Sequence, residues 1–102
     1  MYCFISKKMH CFMTVSEQKC LREAAERLYI TRSPLGKSIV SLEENVGAQL
    51  FERTSHGMIL TPQGLILYNM LNPIYLNLLE IERNKSTIFS ITHNESNTLK
   101  QK

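Results

Sequence analysis

The sequence predicts a mainly α fold in which three short helices and a two-stranded hairpin precede one long helix. Three observations carry that prediction. Apolar residues recur at helical spacing before Gly47, most clearly Leu35, Ile39 and Leu42 at i, i+4 and i+7. Between Gly47 and Thr61 the period shortens to two partly alternating runs, Leu50-Phe51-Glu52-Arg53 and Met58-Ile59-Leu60-Thr61, parted by the turn-rich Thr54-Ser55-His56-Gly57. Beyond Pro62, Leu67, Leu71, Ile74, Leu78 and Ile81 are spaced four, three, four and three residues apart, the seam of two helices packed together.

The first helix is expected from about Ser6 to Gln18, with Ile5, Met9, Phe12, Met13 and Val15 toward a core and Lys7 and Lys8 toward solvent. Leu21 to Leu28 forms a second, short helix whose Ala24-Ala25 pair lets another helix pack close. Tyr29-Ile30-Thr31 is a tight connection. Thr31 or Ser33 can cap the third helix, and Pro34 is tolerated in its first turn, where the missing amide would lack a partner anyway. Short helix, three-residue turn, amphipathic helix is a helix-turn-helix pattern. Gly47 is the expected stop.

The third helix is the stretch the rest supports. Opposite its buried face it carries Ser33, Gly36, Lys37 and Val40, with Arg32 at its start, beside Thr31, and no acid before Glu43. A cationic face with little bulk suits the major groove of DNA, where Arg and Lys reach guanine edges or phosphates and Gly and Ser permit close approach. An ordinary amphipathic surface helix is the plainer alternative. The hairpin is a candidate wing, anchored by Leu50, Phe51 and Leu60, with Arg53 and His56 placed to meet the DNA backbone or minor groove.

Thr61 as cap and Pro62 at the first helical position restart the chain as a helix. Run to about Lys85, it would be roughly 36 Å long at about 1.5 Å per residue. The body cannot cover that length. Leu65, Ile66, Tyr68, Met70, Tyr75, Leu76 and Leu79 thicken the apolar stripe, so a second protomer is expected to bury it, the alternative being that it folds back on its own domain. Pro73 forfeits a hydrogen bond, so a kink is expected there, or two segments meeting near Asn72. The layout is thus a winged helix-turn-helix over residues 1–61, a linker or dimerisation helix over 62–91, and a polar tail over 92–102 expected to be disordered.

Composition narrows the function. A chain of 102 residues, 43% hydrophobic, makes one small domain with a modest core. Net charge is only +3, so any affinity for nucleic acid must come from local placement of charge. Cys3, Cys11 and Cys20 are odd in number and lack a C-x-x-C, which argues against a disulfide framework and a zinc site and for reduced thiols in the cytoplasm. Met1 to Ile5 is too short for a signal-peptide core or a membrane span. His10, His56 and His93 are scattered, no nucleophile has a His and an acid at recognisable spacing, and no phosphate-binding glycine loop occurs, so neither catalysis nor a cofactor is expected. Glu17 and the Glu43-Glu44 pair are expected to have structural or solvated roles.

The order and spacing of Phe12, Val15, Glu17, Ala24-Ala25-Glu26-Arg27-Leu28, Ser33, Ile39, Leu42-Glu43-Glu44, Gly47, Leu50-Phe51-Glu52-Arg53-Thr54 and Leu60-Thr61-Pro62-Gln63-Gly64 resemble the N-terminal domain of the LysR-type transcriptional regulators. The resemblance covers about residues 5 to 85 without a gap. It implies DNA binding by the third helix, wing contact with the backbone, dimerisation through the long helix, and a cytoplasmic bacterial protein. Departures are Cys20 where a polar cap is usual, Arg32 where Gln is common, Gly36-Lys37 where Ser-Arg is common, His56 where arginines are frequent, and Leu71 in place of a small Ala. The family's effector-binding domain is also missing from these residues. Two functions are expected to compete: a homodimeric, DNA-binding regulator acting without a small-molecule ligand, and an interaction partner that forms a heterodimer with a longer LysR-type protein.

Overall fold

The computed structural model describes residues 2–94, in the order α1 (Lys7–Gln18), α2 (Leu21–Leu28), α3 (Arg32–Val46), β1 (Phe51–Thr54), β2 (Gly57–Leu60) and α4 (Pro62–Asn94). The three short helices and the hairpin form a small body from which α4 projects, giving overall dimensions of 55 × 26 × 19 Å.

Local chemistry sets the boundaries. The Ser6 hydroxyl accepts the Met9 N–H at 3.1 Å and so caps α1. Lys19 and Tyr29 end α1 and α2 in the left-handed conformation, both at φ 59°. Cys20 stands at the N-cap of α2 with no side-chain capping bond, as expected of a thiol there. Thr31 rather than Ser33 occupies the N-cap of α3, and its hydroxyl makes no capping bond either. Gly47 ends α3.

Phe12, Met13 and Val15 of α1 form the centre of the core, closed by Ala24 and Ala25 of α2, Leu35 and Ile39 of α3, and Tyr75 of α4. From the hairpin come Leu50, just ahead of β1, Phe51 and Met58, all buried, with Leu60 packed alongside. The rings of Phe12 and Phe51 meet at 5.5 Å between centroids. β1 and β2 pair antiparallel, Phe51 opposite Leu60 and Thr54 opposite Gly57.

Three contacts tie this hairpin down. Gly57, at φ 120°, lies so close to the Lys19 carbonyl that a Cβ would collide with it, and the next residue, Met58, donates its N–H to that carbonyl at 3.0 Å. The Glu43 carboxylate of α3 accepts the N–H groups of Leu50 at 2.8 Å and Phe51 at 3.1 Å. Thr61 caps α4 by accepting the Gly64 N–H at 3.0 Å while donating to the Gln49 carbonyl at 2.6 Å. Gly64 itself presses against the Leu50 carbonyl, leaving no space for a side chain.

α4 departs from expectation in three ways. It runs unbroken through Pro73, not as two segments. Pro73 and Asn69, whose carbonyl loses its helical partner, both face solvent, so water can satisfy that carbonyl. Thr92, His93 and Asn94, expected in a disordered tail, continue the helix, since extending a formed helix costs far less than starting one. Residues 95–102 of that tail lie outside the described residues.

Finally, the seam divides. Leu67, Leu71 and Leu78 pack on the body together with Tyr68, Tyr75 and Leu79. Ile74 and Ile81 stay exposed, in line with Ile66, Met70 and Ile88. At about 100° per residue these are neighbouring stripes of one helix, and only one of them can face its own domain.

Candidate nucleic-acid interface

α3 turns Leu35 and Ile39 fully inward, which presents Arg32, Ser33, Lys37 and Val40 to solvent along one side. Gly36, expected on that open side, is instead covered. A Cβ there would stand 3.4 Å from Nη2 of Arg53 and 3.7 Å from Cδ2 of Leu21. Arg53 therefore does more than project from the wing: it crosses from β1 to lie over α3.

The result is an open cleft of about 800 Å3 bounded by Arg32, Ser33, Gly36, Lys37, Val40 and Arg53, and also by Leu21, Ser41 and Glu44. Three cations face one carboxylate across it, and none of the three is in an ion pair among the described residues. Five guanidinium donors on each Arg and three on Lys are thus available to an anionic or acceptor-rich ligand. Six of the eight residues singled out from sequence meet here. Thr31 is exposed at the cap just before them.

His56 does not join this cleft. It sits at the wing tip, exposed, with its N–H held by Thr54 Oγ1 at 3.0 Å and its ring 3.4 Å from Ser55 Oγ. Ser41 went unnoticed in sequence and Glu44 was read only as structural or solvated, although each follows a named residue, Lys37 or Val40, by one helical turn. Leu21 had no such signal, since only the packing of α2 on α3 brings it near.

A second concavity lies away from this cleft. Where α4 crosses α1 and the end of α2, a groove of about 780 Å3 is lined by Lys7, His10, Glu17, Arg27, Tyr75 and Leu79, among others. Glu17 is exposed there. The Tyr75 hydroxyl is 3.0 Å from His10 Nδ1, and the Tyr2 ring meets that imidazole edge-on at 4.7 Å. Burial, helped by the negative charge of Glu17, pushes the Tyr75 phenol up to about 12. Burial lowers the His10 imidazole below its ordinary value.

Three helices, a two-stranded wing and a cationic cleft on the third helix define a winged helix-turn-helix module. Residues 6–65 match the bacterial regulatory helix-turn-helix proteins of the lysR family, and the chain belongs to that family. It is 42% identical over 79 residues to the HTH-type transcriptional regulator YgfI of Escherichia coli (strain K12), covering 78% of this chain and 26% of that protein. To the HTH-type transcriptional regulator BenM of Acinetobacter baylyi it is 40% identical over 57 residues, 56% of this chain and 19% of BenM. The chain thus spans about a quarter of the length of the first curated relatives it matches. Among solved structures it is similar to the BenM DNA-binding domain in complex with catB site 1 DNA, with a TM-score of 0.63 and 29% identity over 88% of this chain and 93% of that one. The CbnR DNA-binding domain in complex with DNA matches with a TM-score of 0.68 and 26% identity over 82% and 95%. Among the described residues no helix is long and apolar enough to cross a membrane.

Proposed function

We propose that this chain is a sequence-specific DNA-binding regulator that reads double-stranded DNA with α3 as a dimer paired through α4. The observation that carries the reading is the meeting of Arg32, Lys37 and Arg53 around one cleft on the exposed side of α3, with none of them in an ion pair among the described residues. Arg32 and Lys37 are placed to contact base edges, Ser33 and Val40 to pack against them, and Thr31 and His56 to meet the flanking phosphates. The exposed line of Ile66, Met70, Ile74 and Ile81 supports the pairing, since water-facing apolar rows of this length are normally covered. Binding to DNA upstream of its own gene, measured at two salt concentrations, tests the reading. Affinity should drop steeply as salt rises, in proportion to the phosphates contacted. Salt-independent binding, or none, would sink it.

The same apolar line supports a second reading, in which the partner on α4 is a longer relative with a matching helix. The 79 residues that match YgfI correspond to about a quarter of that protein, so a longer relative could supply what these residues do not. Adding such a relative should then change both the affinity and the length of DNA protected.

A further inference from the structure

The far end of α4 stands clear of the body. Of residues 80–90 only Glu82 is buried, at 7% exposure. What buries it is the segment ahead of α1. The Glu82 carboxylate accepts three successive main-chain N–H groups: Cys3 at 3.1 Å through Oε1, and Phe4 at 2.6 Å and Ile5 at 3.3 Å through Oε2. Lys85 places its ammonium 3.2 Å from Glu82 Oε1 and 3.3 Å from Cys3 Sγ, and the Phe4 ring stacks on Phe89 with centroids 6.3 Å apart. At its other end this segment is rooted in the domain, because Ile5 belongs to the core and Ser6 caps α1.

Residues 3–5 are therefore a strap from the start of α1 to the far half of α4. A carboxylate accepts hydrogen bonds only, and three converging amides fix both its place and theirs. The last apolar body contact of α4 before the strap is Leu78-Leu79, and beyond it the strap braces the direction of the helix. Direction matters when a dimer reads DNA. The separation and twist between two reading helices must match half-sites on successive turns, so operator spacing follows from protein geometry.

We propose that Glu82 is a positioning residue for DNA specificity: by gripping residues 3–5 it holds the far half of α4 at a set angle to the reading body and so fixes the preferred half-site spacing. This rests on the α4-paired dimer proposed above.

The test uses the full chain, unmodified and as Glu82→Gln. The half-site is taken from random duplexes selected by the unmodified protein, then presented once, or twice at spacings varied base pair by base pair. Glu82→Gln should remain dimeric by sedimentation and bind the single half-site as well as the unmodified chain. Its preference for the best spacing over neighbouring ones should fall about tenfold, because misaligned heads lose the gain from linked contacts. A dimeric Glu82→Gln with an unchanged spacing profile overturns the proposal. Should that variant unfold, Phe4→Pro, which removes the N–H that Glu82 Oε2 accepts at 2.6 Å, is read the same way, and an unchanged profile there also overturns it. A monomeric or spacing-indifferent unmodified protein overturns the underlying dimer reading, and the proposal falls with it.

Discussion

Gly36 lies beneath Arg53, with the site of a missing Cβ 3.4 Å from the Arg53 guanidinium. That distance is ordinary contact, so Gly36→Ala should fit and stabilise α3 by about 1 kcal/mol through helix propensity. A longer side chain should occupy the ground Arg53 rests on. Gly36→Gln is expected to weaken DNA binding as much as Arg53→Ala does, while Gly36→Ala leaves it within a few-fold. Titrating the three variants against one duplex, beside melting curves, checks the ordering.

Arg32 and Lys37 should separate from Leu35 in their effects although all three share one helix. Arg32→Ala is expected to cost about 1–3 kcal/mol in specific binding with the fold intact. Leu35, wholly buried, should cost about 2–5 kcal/mol of stability as Leu35→Ala. Denaturant unfolding and DNA titration together distinguish the two. Undiminished DNA affinity in the double change of Arg32 and Lys37 to Ala would refute the assignment of the cleft.

Glu43 links the reading helix to the wing through the N–H groups of Leu50 and Phe51. Glu43→Ala removes both acceptors and should destabilise the fold by about 1–3 kcal/mol, the cost of stranding partly buried donors. Amide exchange at Leu50 and Phe51 should quicken well before exchange in α1.

The divided seam of α4 makes the assembly test sharper. Ile74 and Ile81 are exposed, so Ile74→Glu with Ile81→Glu should leave the monomer folded and abolish pairing. Leu71 packs on its own body, so Leu71→Glu should lower the melting temperature as well. Sedimentation at micromolar concentration with circular dichroism resolves the two cases, and a double Ile variant that still dimerises would point to another surface.

Acid should weaken the fold in two steps. Burial lowers the His10 imidazole, so the unfolded chain takes up that proton first and stability declines as pH falls below about 6.5. Burial alone would raise the Glu82 carboxyl, but the N–H groups of Phe4 and Cys3, with Lys85, outweigh it and hold it below the ordinary carboxylate range. Its stabilisation is present above that range and is lost as pH falls through the lowered value. Urea midpoints from pH 7.5 down to 3 should show both declines; His10→Gln should erase the first and Glu82→Gln the second.

Much of this protein is determined by the sequence alone, because its elements are marked by residues that act locally. Ser6, Gly47 and the Thr61-Pro62 pair stop or start helices through their own side chains or backbone freedom, and Leu35 and Ile39 face inward simply because they recur at helical spacing. Arg32, Ser33, Lys37 and Val40 could be placed on one side for the same reason. Tertiary structure decided what depends on residues far apart in the chain. It covered Gly36 with Arg53, turned Leu67, Leu71 and Leu78 onto the body while leaving Ile74 and Ile81 in water, and carried α4 unbroken through Pro73. Above all it brought Glu82 to the amides of residues 3–5, nearly eighty positions away. No periodicity encodes such a contact, because a carboxylate on a helix reads as solvated until another segment's N–H groups fold down over it.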